Sequence, residues 1–212
     1  MKNIAILASG NGSNAQNLIE YFNYGKNCST EDLNLASVKI IVCNRPDAYI
    51  ITRAENLNIP AVVLKKEELT TSPQPLLDLL KEHSIDYVVL AGYLLKIPSA
   101  LIDEYPQRII NIHPALLPAY GGKGMYGRYV HEAVIAAKEK ESGITIHLVD
   151  NDYDSGKILL QARCSVRADD TPESLAAKIH NLEYSNFPKT VAKYIKMSPH
   201  QNGPTLKWTE VK

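Results

Sequence analysis

Asn111 and His113 stand two residues apart in the run Asn111-Ile112-His113-Pro114-Ala115-Leu116-Leu117-Pro118. An amide can donate to a developing oxyanion and an imidazole can move a proton near neutral pH, the two tasks that acyl-type transfer requires. On an extended backbone such a pair projects from one face, so both groups can address one reacting carbonyl. Ile109-Ile110 before them reads as the end of a buried strand, and Pro114 and Pro118 rule out regular pairing straight after. The pair is therefore expected at a strand's C-terminal edge, where the chain leaves the strand for a loop and where ligands bind in an open parallel sheet. A loop with a turn-capping Asn and an exposed His is the plain alternative.

Two further stretches could serve that centre. Gly10-Asn11-Gly12-Ser13-Asn14-Ala15 lies between an apolar run and a helical pattern, so backbone N–H groups at a helix N-terminus can converge on a phosphate. Its spacing also satisfies the Gly-x-Gly-x-x-Ala dinucleotide fingerprint of a nicotinamide enzyme, but the next strand ends in Asn44-Arg45 rather than in an acidic residue for a ribose hydroxyl, although Arg45 could suit a 2′-phosphate. Ser13 and Asn14 add side-chain donors suited to a phosphomonoester; a tight turn that simply needs glycine is the alternative. Asp150-Asn151-Asp152-Tyr153-Asp154-Ser155-Gly156 begins like a calcium loop, yet Ser155 stands where its glycine belongs and Gln161 where its glutamate belongs. Asp154, beside the small Ser155 and Gly156, could instead orient His113 and favour its protonated form. The glycine-rich residues 121–127 form either a cover over the site or a surface loop. His131-Glu132 lacks the second histidine of a zinc helix, with Ile135 in its place, and His83, His147 and His200 read as structural or exposed. No metal site is expected.

Hydrophobic periodicity supplies the scaffold for these residues. A strand over 4–8, the glycine turn and a helix burying Ala15, Leu18, Ile19 and Phe22 open the chain. After a polar connection come strand 38–43, a helix begun by Asn44-Arg45-Pro46 and striped by Ala48, Ile51, Ala54 and Leu57, and strand 61–64. Lys65-Lys66-Glu67-Glu68 reads as a solvated face, Ser72-Pro73 as the start of a helix burying Leu76, Leu77 and Leu80, and 86–91 as the fourth strand. Beyond the Asn-x-His loop lie a helix over 128–140 and strands 144–149 and 157–164. A last helix starts at Asp170-Thr171-Pro172-Glu173, and Pro188 should kink or interrupt it. This order predicts an α/β fold, a Rossmann-like, open, mainly parallel twisted sheet with helices on both faces. Residues 1–195 are expected to form one catalytic domain and 196–212 a tail, with a short edge strand near Leu206-Lys207-Trp208.

Composition narrows the partners. The 23 basic and 23 acidic residues cancel, so no global field draws the chain to nucleic acid or an anionic membrane, and anionic ligands must be gripped locally. Cys28, Cys43 and Cys164 are odd in number and lack Cys-x-x-Cys spacing, which fits a reducing cytosol. Met1-Lys2-Asn3 runs directly into a strand, and no apolar run nears the roughly 20 residues of a membrane helix. We expect no signal peptide, no membrane anchor and a cytoplasmic location; a monomer and a homodimer are both compatible with these features.

Taken together, residues 9–14, Leu90-Ala91-Gly92-Tyr93, residues 111–118 and Tyr153-Asp154-Ser155-Gly156 resemble the folate-dependent phosphoribosylglycinamide formyltransferase family, from the first strand to about Tyr194. The Asn-Ile-His-Pro-x-Leu-Leu-Pro block is shared among 10-formyltetrahydrofolate enzymes, and the Ser-Gly-Asn-Gly-Ser-Asn block is the more selective one. The resemblance implies formyl transfer from 10-formyltetrahydrofolate, as co-substrate, to the amine of glycinamide ribonucleotide in purine synthesis. It implies a catalytic trio of Asn111, His113 and Asp154, and ribonucleotide contacts at Gly10, Asn11, Gly12, Ser13, Asn14, His180 and Glu183. Folate contacts are implied at Tyr93, Leu94, Leu95, Lys96, Ile97, Asn111, Asp150 and Asp154. The chain departs from the family where Leu95, followed by Lys96, replaces an arginine of the folate loop, and where no arginine follows the third strand between Lys65 and Gln74.

Three rivals follow. Formyltetrahydrofolate hydrolase shares the catalytic block but normally carries an N-terminal regulatory domain, for which no room is expected before Ile4. Methionyl-tRNA formyltransferase needs a C-terminal barrel and a basic surface for tRNA, neither of which is expected here. A non-catalytic phosphosugar-binding module would keep residues 10–14 but has no need for Asn111, His113 and Asp154 to converge.

Overall fold

The computed structural model of the chain describes residues 1–197. Strand β1 (Lys2–Ala8) sends Ile4, Ile6 and Ala8 to one face of the sheet and Ala5 and Leu7 to the other, all fully buried. An apolar run with no polar alternation is what a strand covered on both faces requires. Helix α1 (Ser13–Tyr24) packs on the first face through Ala15, Leu18, Ile19 and Phe22, as its spacing predicts. Strand β2 (Ala36–Cys43) pairs parallel to β1, with the register stepping over Lys39 so that both Val38 and Ile40 remain buried.

Helix α2 (Ile50–Asn56) starts later than Asn44-Arg45-Pro46 suggests, and its buried residues are Ile50 and Ala54. The Ile50 N–H is bonded to the carbonyl of Gly10 at 3.2 Å, so residues 44–49 are spent bending the chain back onto the glycine turn. Strand β3 (Ala61–Val63) is followed by α3 (Lys66–Thr70), a short helix on which Lys66 and Glu67 are exposed, the solvated face expected. Glu68 accepts the Lys65 N–H at 2.7 Å and Leu69 is buried, enough to fold that one charged turn. Helix α4 (Gln74–Glu82) buries Leu76 and Leu80, and β4 (Tyr87–Leu90) follows. Helix α5 (Ser99–Glu104), too short for a periodic signal, buries Leu101. Then come β5 (Ile109–His113), α6 (Arg128–Ala136), β6 (Glu141–Leu148), β7 (Ile158–Ser165) and α7 (Pro172–Met197).

The sheet order is β3-β2-β1-β4-β5-β6-β7, parallel as far as β5 and antiparallel through β6 and β7. Helices α1, α2, α6 and α7 cover one face, and α3, α4 and α5 the other. Chain order reverses between β1 and β4, and their C-terminal ends therefore open a crevice. Asn111 and His113 sit at a strand's C-terminal edge as expected, but the strand runs on past Ile110 and includes both, paired across to His147 and Thr145 of β6. The antiparallel β6 supplies a ladder that holds β5 straight until Pro114, so both side chains are fixed by the sheet.

Pro188 does not interrupt α7. Its missing N–H leaves the Tyr184 carbonyl without a helical partner, and Asn17 Nδ2 of α1 donates to that carbonyl at 3.0 Å. Asn17→Ala should therefore destabilise the fold by about 1–3 kcal/mol, read as a lowered melting temperature. An unchanged melting temperature would mean that the carbonyl needs no such partner. Helix α7 reaches Met197, two residues past the expected domain end, and the edge strand expected near Leu206-Lys207-Trp208 lies outside the described residues.

Candidate active site

A cleft of about 860 Å³ opens at the C-terminal ends of β1, β4 and β5. Residues 10–14 and 93–97, Asn111, His113, Asp150, Asp154, His180 and Glu183 all lie on its wall. Residues separated by most of the chain thus face one space.

At its centre, Asn111 Nδ2 lies 3.1 Å from His147 Nε2, and His147 Nδ1 lies 2.8 Å from the Leu148 carbonyl. A carbonyl only accepts, so Nδ1 carries the proton and Nε2 offers its lone pair to the Asn111 amide. This turns the NH₂ of Asn111 toward His147 and leaves its second N–H for a ligand. The sequence reading placed His147 among structural or exposed histidines; it is buried and orients Asn111. Its signal is the cross-strand pair Asn111 with His147, visible only once the register is known.

His113 is 4% exposed, and its Nε2 lies 2.8 Å from the Tyr120 carbonyl, which again fixes the proton. The other nitrogen, Nδ1, faces Asp154 Oδ2 at 3.6 Å. Burial pushes the His113 pKa below the ordinary imidazole value, and the opposing pull of Asp154 and the Tyr120 carbonyl does not overcome it. Asp154 does favour the protonated ring, as expected, but in the free protein burial prevails. For Asp154 burial acts upward, yet the positive charge that the adjoining rings of His147 and His113 carry in acid, and the Gly122 N–H at 2.9 Å, hold the carboxyl below its usual range. At rest the pair is a neutral base beside a carboxylate able to stabilise the cation that forms when Nδ1 takes a proton.

The frame around this pair is tightly bonded. Thr145 Oγ1 donates to the Ala115 carbonyl at 2.7 Å and accepts from the Leu117 N–H at 3.0 Å, while Gln161 Nε2 donates to the Leu117 carbonyl at 2.9 Å. The segment after His113 is thereby tied to both β6 and β7. A Cβ on Gly156 would sit 1.8 Å from the Leu148 carbonyl oxygen, so the turn that presents Asp154 needs glycine there.

At the other end, Gly12 takes φ 77° and packs against Ile50, where a Cβ would lie 2.4 Å from Cδ1. Arg53, which the sequence reading passed over, donates from Nε to the Asn11 carbonyl and from Nη2 to Asn11 Oδ1, both at 2.8 Å. Glu183, 5% exposed, accepts on Oε2 from Asn14 Nδ2 at 2.9 Å and contacts His180 Nδ1 at 3.0 Å. That hydrogen bond raises the His180 pKa against the effect of burial. Asn11, Ser13, Asn14, His180 and Tyr184 line a small recess at the N-terminus of α1, a place suited to an anion.

The third side of the cleft is the loop after β4. Ser9 Oγ accepts the Leu94 N–H at 3.0 Å, joining this loop to the glycine turn, and burial pushes the Tyr93 phenol pKa up. Lys96 Nζ stands 5.8 Å over the Tyr153 ring. Asp150 Oδ1 accepts from Ser155 Oγ at 2.6 Å, closing its own turn. Residues 122–127 line the cleft, so the glycine-rich segment is part of its wall. Among the described residues no helix is long and apolar enough to cross a membrane, and no group of three or more His, Cys, Asp or Glu could hold a metal.

A family model described as formyl transferase matches residues 2–191. The chain is 41% identical over 194 residues to the chloroplastic phosphoribosylglycinamide formyltransferase of Arabidopsis thaliana, covering 90% of this chain and 64% of that protein. It is 34% identical to phosphoribosylglycinamide formyltransferase of Bacillus subtilis (strain 168), covering 90% and 93%. It thus spans less than two thirds of the plant relative and nearly all of the bacterial one. The crystal structure of phosphoribosylglycinamide formyltransferase from Streptococcus pneumoniae TIGR4 has a TM-score of 0.78 to it at 35% identity, covering 91% of this chain and 98% of that one. With the match running from β1 into α7, across every element that borders the cleft, this chain belongs to the formyl transferase family.

Proposed function

We propose that the chain transfers the formyl group of 10-formyltetrahydrofolate to the primary amine of glycinamide ribonucleotide, giving formylglycinamide ribonucleotide and tetrahydrofolate in purine biosynthesis. The observation that carries this reading is one cleft joining an anion recess at α1 to an amide, an imidazole and a carboxylate at the end of β5. The names of its relatives support the same substrates.

The amine lone pair attacks the formyl carbon and the carbonyl electrons move onto oxygen. The free N–H of Asn111 donates to this oxyanion. His113 takes the amine's proton on Nδ1, and Asp154 stabilises the resulting imidazolium. When the carbonyl re-forms, the bond to N10 of the folate breaks and His113 returns the proton to that nitrogen. The recess formed by residues 10–14, His180 and Glu183 holds the ribonucleotide. Residues 93–97 and Asp150 hold the folate, with Lys96 the cation in the loop where the family resemblance lacks its arginine. Three free cysteines support work in a reducing compartment such as the cytosol.

An absorbance assay for tetrahydrofolate, run with and without glycinamide ribonucleotide, tests the reading. Product is expected only when the ribonucleotide is present. Equal product in both reactions would identify a hydrolase, and ribonucleotide binding without product in either would identify a phosphosugar-binding module.

A further inference from the structure

His131 on α6 is a buried histidine that no step above uses. It is 5% exposed, and that exposure is on the cleft wall. Its Nδ1 is sealed from solvent and has no hydrogen-bond partner. A proton there would be stranded, so the ring proton belongs on Nε2, the nitrogen left with access to the cleft. Burial pushes the ring's pKa down, with the charge of Glu183 opposing and that of His180 reinforcing, so the ring is neutral near pH 7. It presents one N–H donor and no charge.

Glu183 is the charged group that relates this donor to the rest of the cleft. That carboxylate is bonded to Asn14 and His180 in the anion recess and lies within electrostatic range of both His131 and His113. His131 therefore lines the same cleft as the recess residues Asn14 and His180 and the formyl-transfer residue His113, close enough to Glu183 to feel its charge. A ribonucleotide with its phosphate in the recess and its amine at His113 must lay its sugar and glycinamide linkage across this stretch. Val130 and Val134 on the same helix are buried apolar residues, and an apolar side chain at 131 would spare the fold an unpartnered nitrogen.

We propose that His131 is a ribonucleotide-binding residue, donating from Nε2 to an oxygen of the ribose-glycinamide portion. The inference rests on the proposed activity, so ribonucleotide-dependent product from the unsubstituted protein is established first; its absence would sink that activity rather than this residue. His131→Phe keeps a buried ring without nitrogens. It should melt no lower than the parent protein, while the KM for the ribonucleotide rises about tenfold, the scale of one lost hydrogen bond. The KM for 10-formyltetrahydrofolate should stay within about twofold of its original value. A glutamine amide nitrogen superposes on Nε2 and an asparagine one on Nδ1, so His131→Gln should recover the ribonucleotide KM and His131→Asn should not. An unchanged KM in His131→Phe, or equal recovery by glutamine and asparagine, would overturn the assignment. If the phenylalanine variant fails to fold, the glutamine and asparagine pair decides alone.

Discussion

His113→Ala is expected to lower kcat by about 10²- to 10⁴-fold, the range for removing a positioned proton-transfer group. The ribonucleotide KM should change little, because the recess is built from α1 and α7 and touches Asn11, Ser13, Asn14, His180 and Tyr184 rather than His113. The variant should fold, since β5 is held by its ladders to β4 and β6. It loses the bond from Nε2 to the Tyr120 carbonyl, which leaves a part-buried acceptor without its partner and costs about 1–3 kcal/mol. The kinetic loss therefore far exceeds what a small loss of folded protein could produce. Steady-state rates at saturating ribonucleotide, with a thermal melt of the same preparation, separate the two effects. A kcat near that of the unsubstituted protein would remove His113 from the reaction.

What local pattern could reveal, it did. The strand-turn-helix of β1 and α1 is legible because apolar periods of 2 and 3.6 and the glycine turn are each contained in a few consecutive residues. The Asn-x-His pair was legible as chemistry at a strand's edge, though not as the last paired residues of that strand, since the pairing that straightens β5 comes from β6, more than thirty residues later. For the same reason His147 and His131 looked ordinary. Nothing near either one in sequence reveals that the first fixes the Asn111 amide or that the second borders the cleft. The contact between Asn14 and Glu183 spans 169 residues, and only likeness to a family could join them beforehand. The start of α2 was misplaced because a local cap at Asn44 was outcompeted by the tertiary bond from Ile50 to Gly10.

Asp154→Asn is expected to lower kcat by on the order of 10²-fold at pH 7 and to shift the pH profile, with little change in the shape of the site. Asparagine keeps an oxygen for the Gly122 N–H and tolerates the φ of 54° found here, so the substitution removes charge alone. His113 then loses the main influence raising its pKa, and burial pushes it further below the ordinary value. The free base is needed for attack, so kcat/KM falls as pH drops through the His113 pKa. In the variant that acid limb should move to lower pH, because the ring protonates less readily. The plateau should also drop, because a proton accepted on Nδ1 no longer meets a carboxylate. A plateau and an acid limb both unchanged would mean that Asp154 acts by position and not by charge. Stability gives an independent sign. A carboxyl held below its usual range stabilises the fold above its unfolded pKa of about 3.9, and this contribution disappears as pH falls through the folded value. Any stability the original protein holds over the variant at neutral pH should therefore shrink on acidification, and a gap that widened instead would contradict the depressed carboxyl.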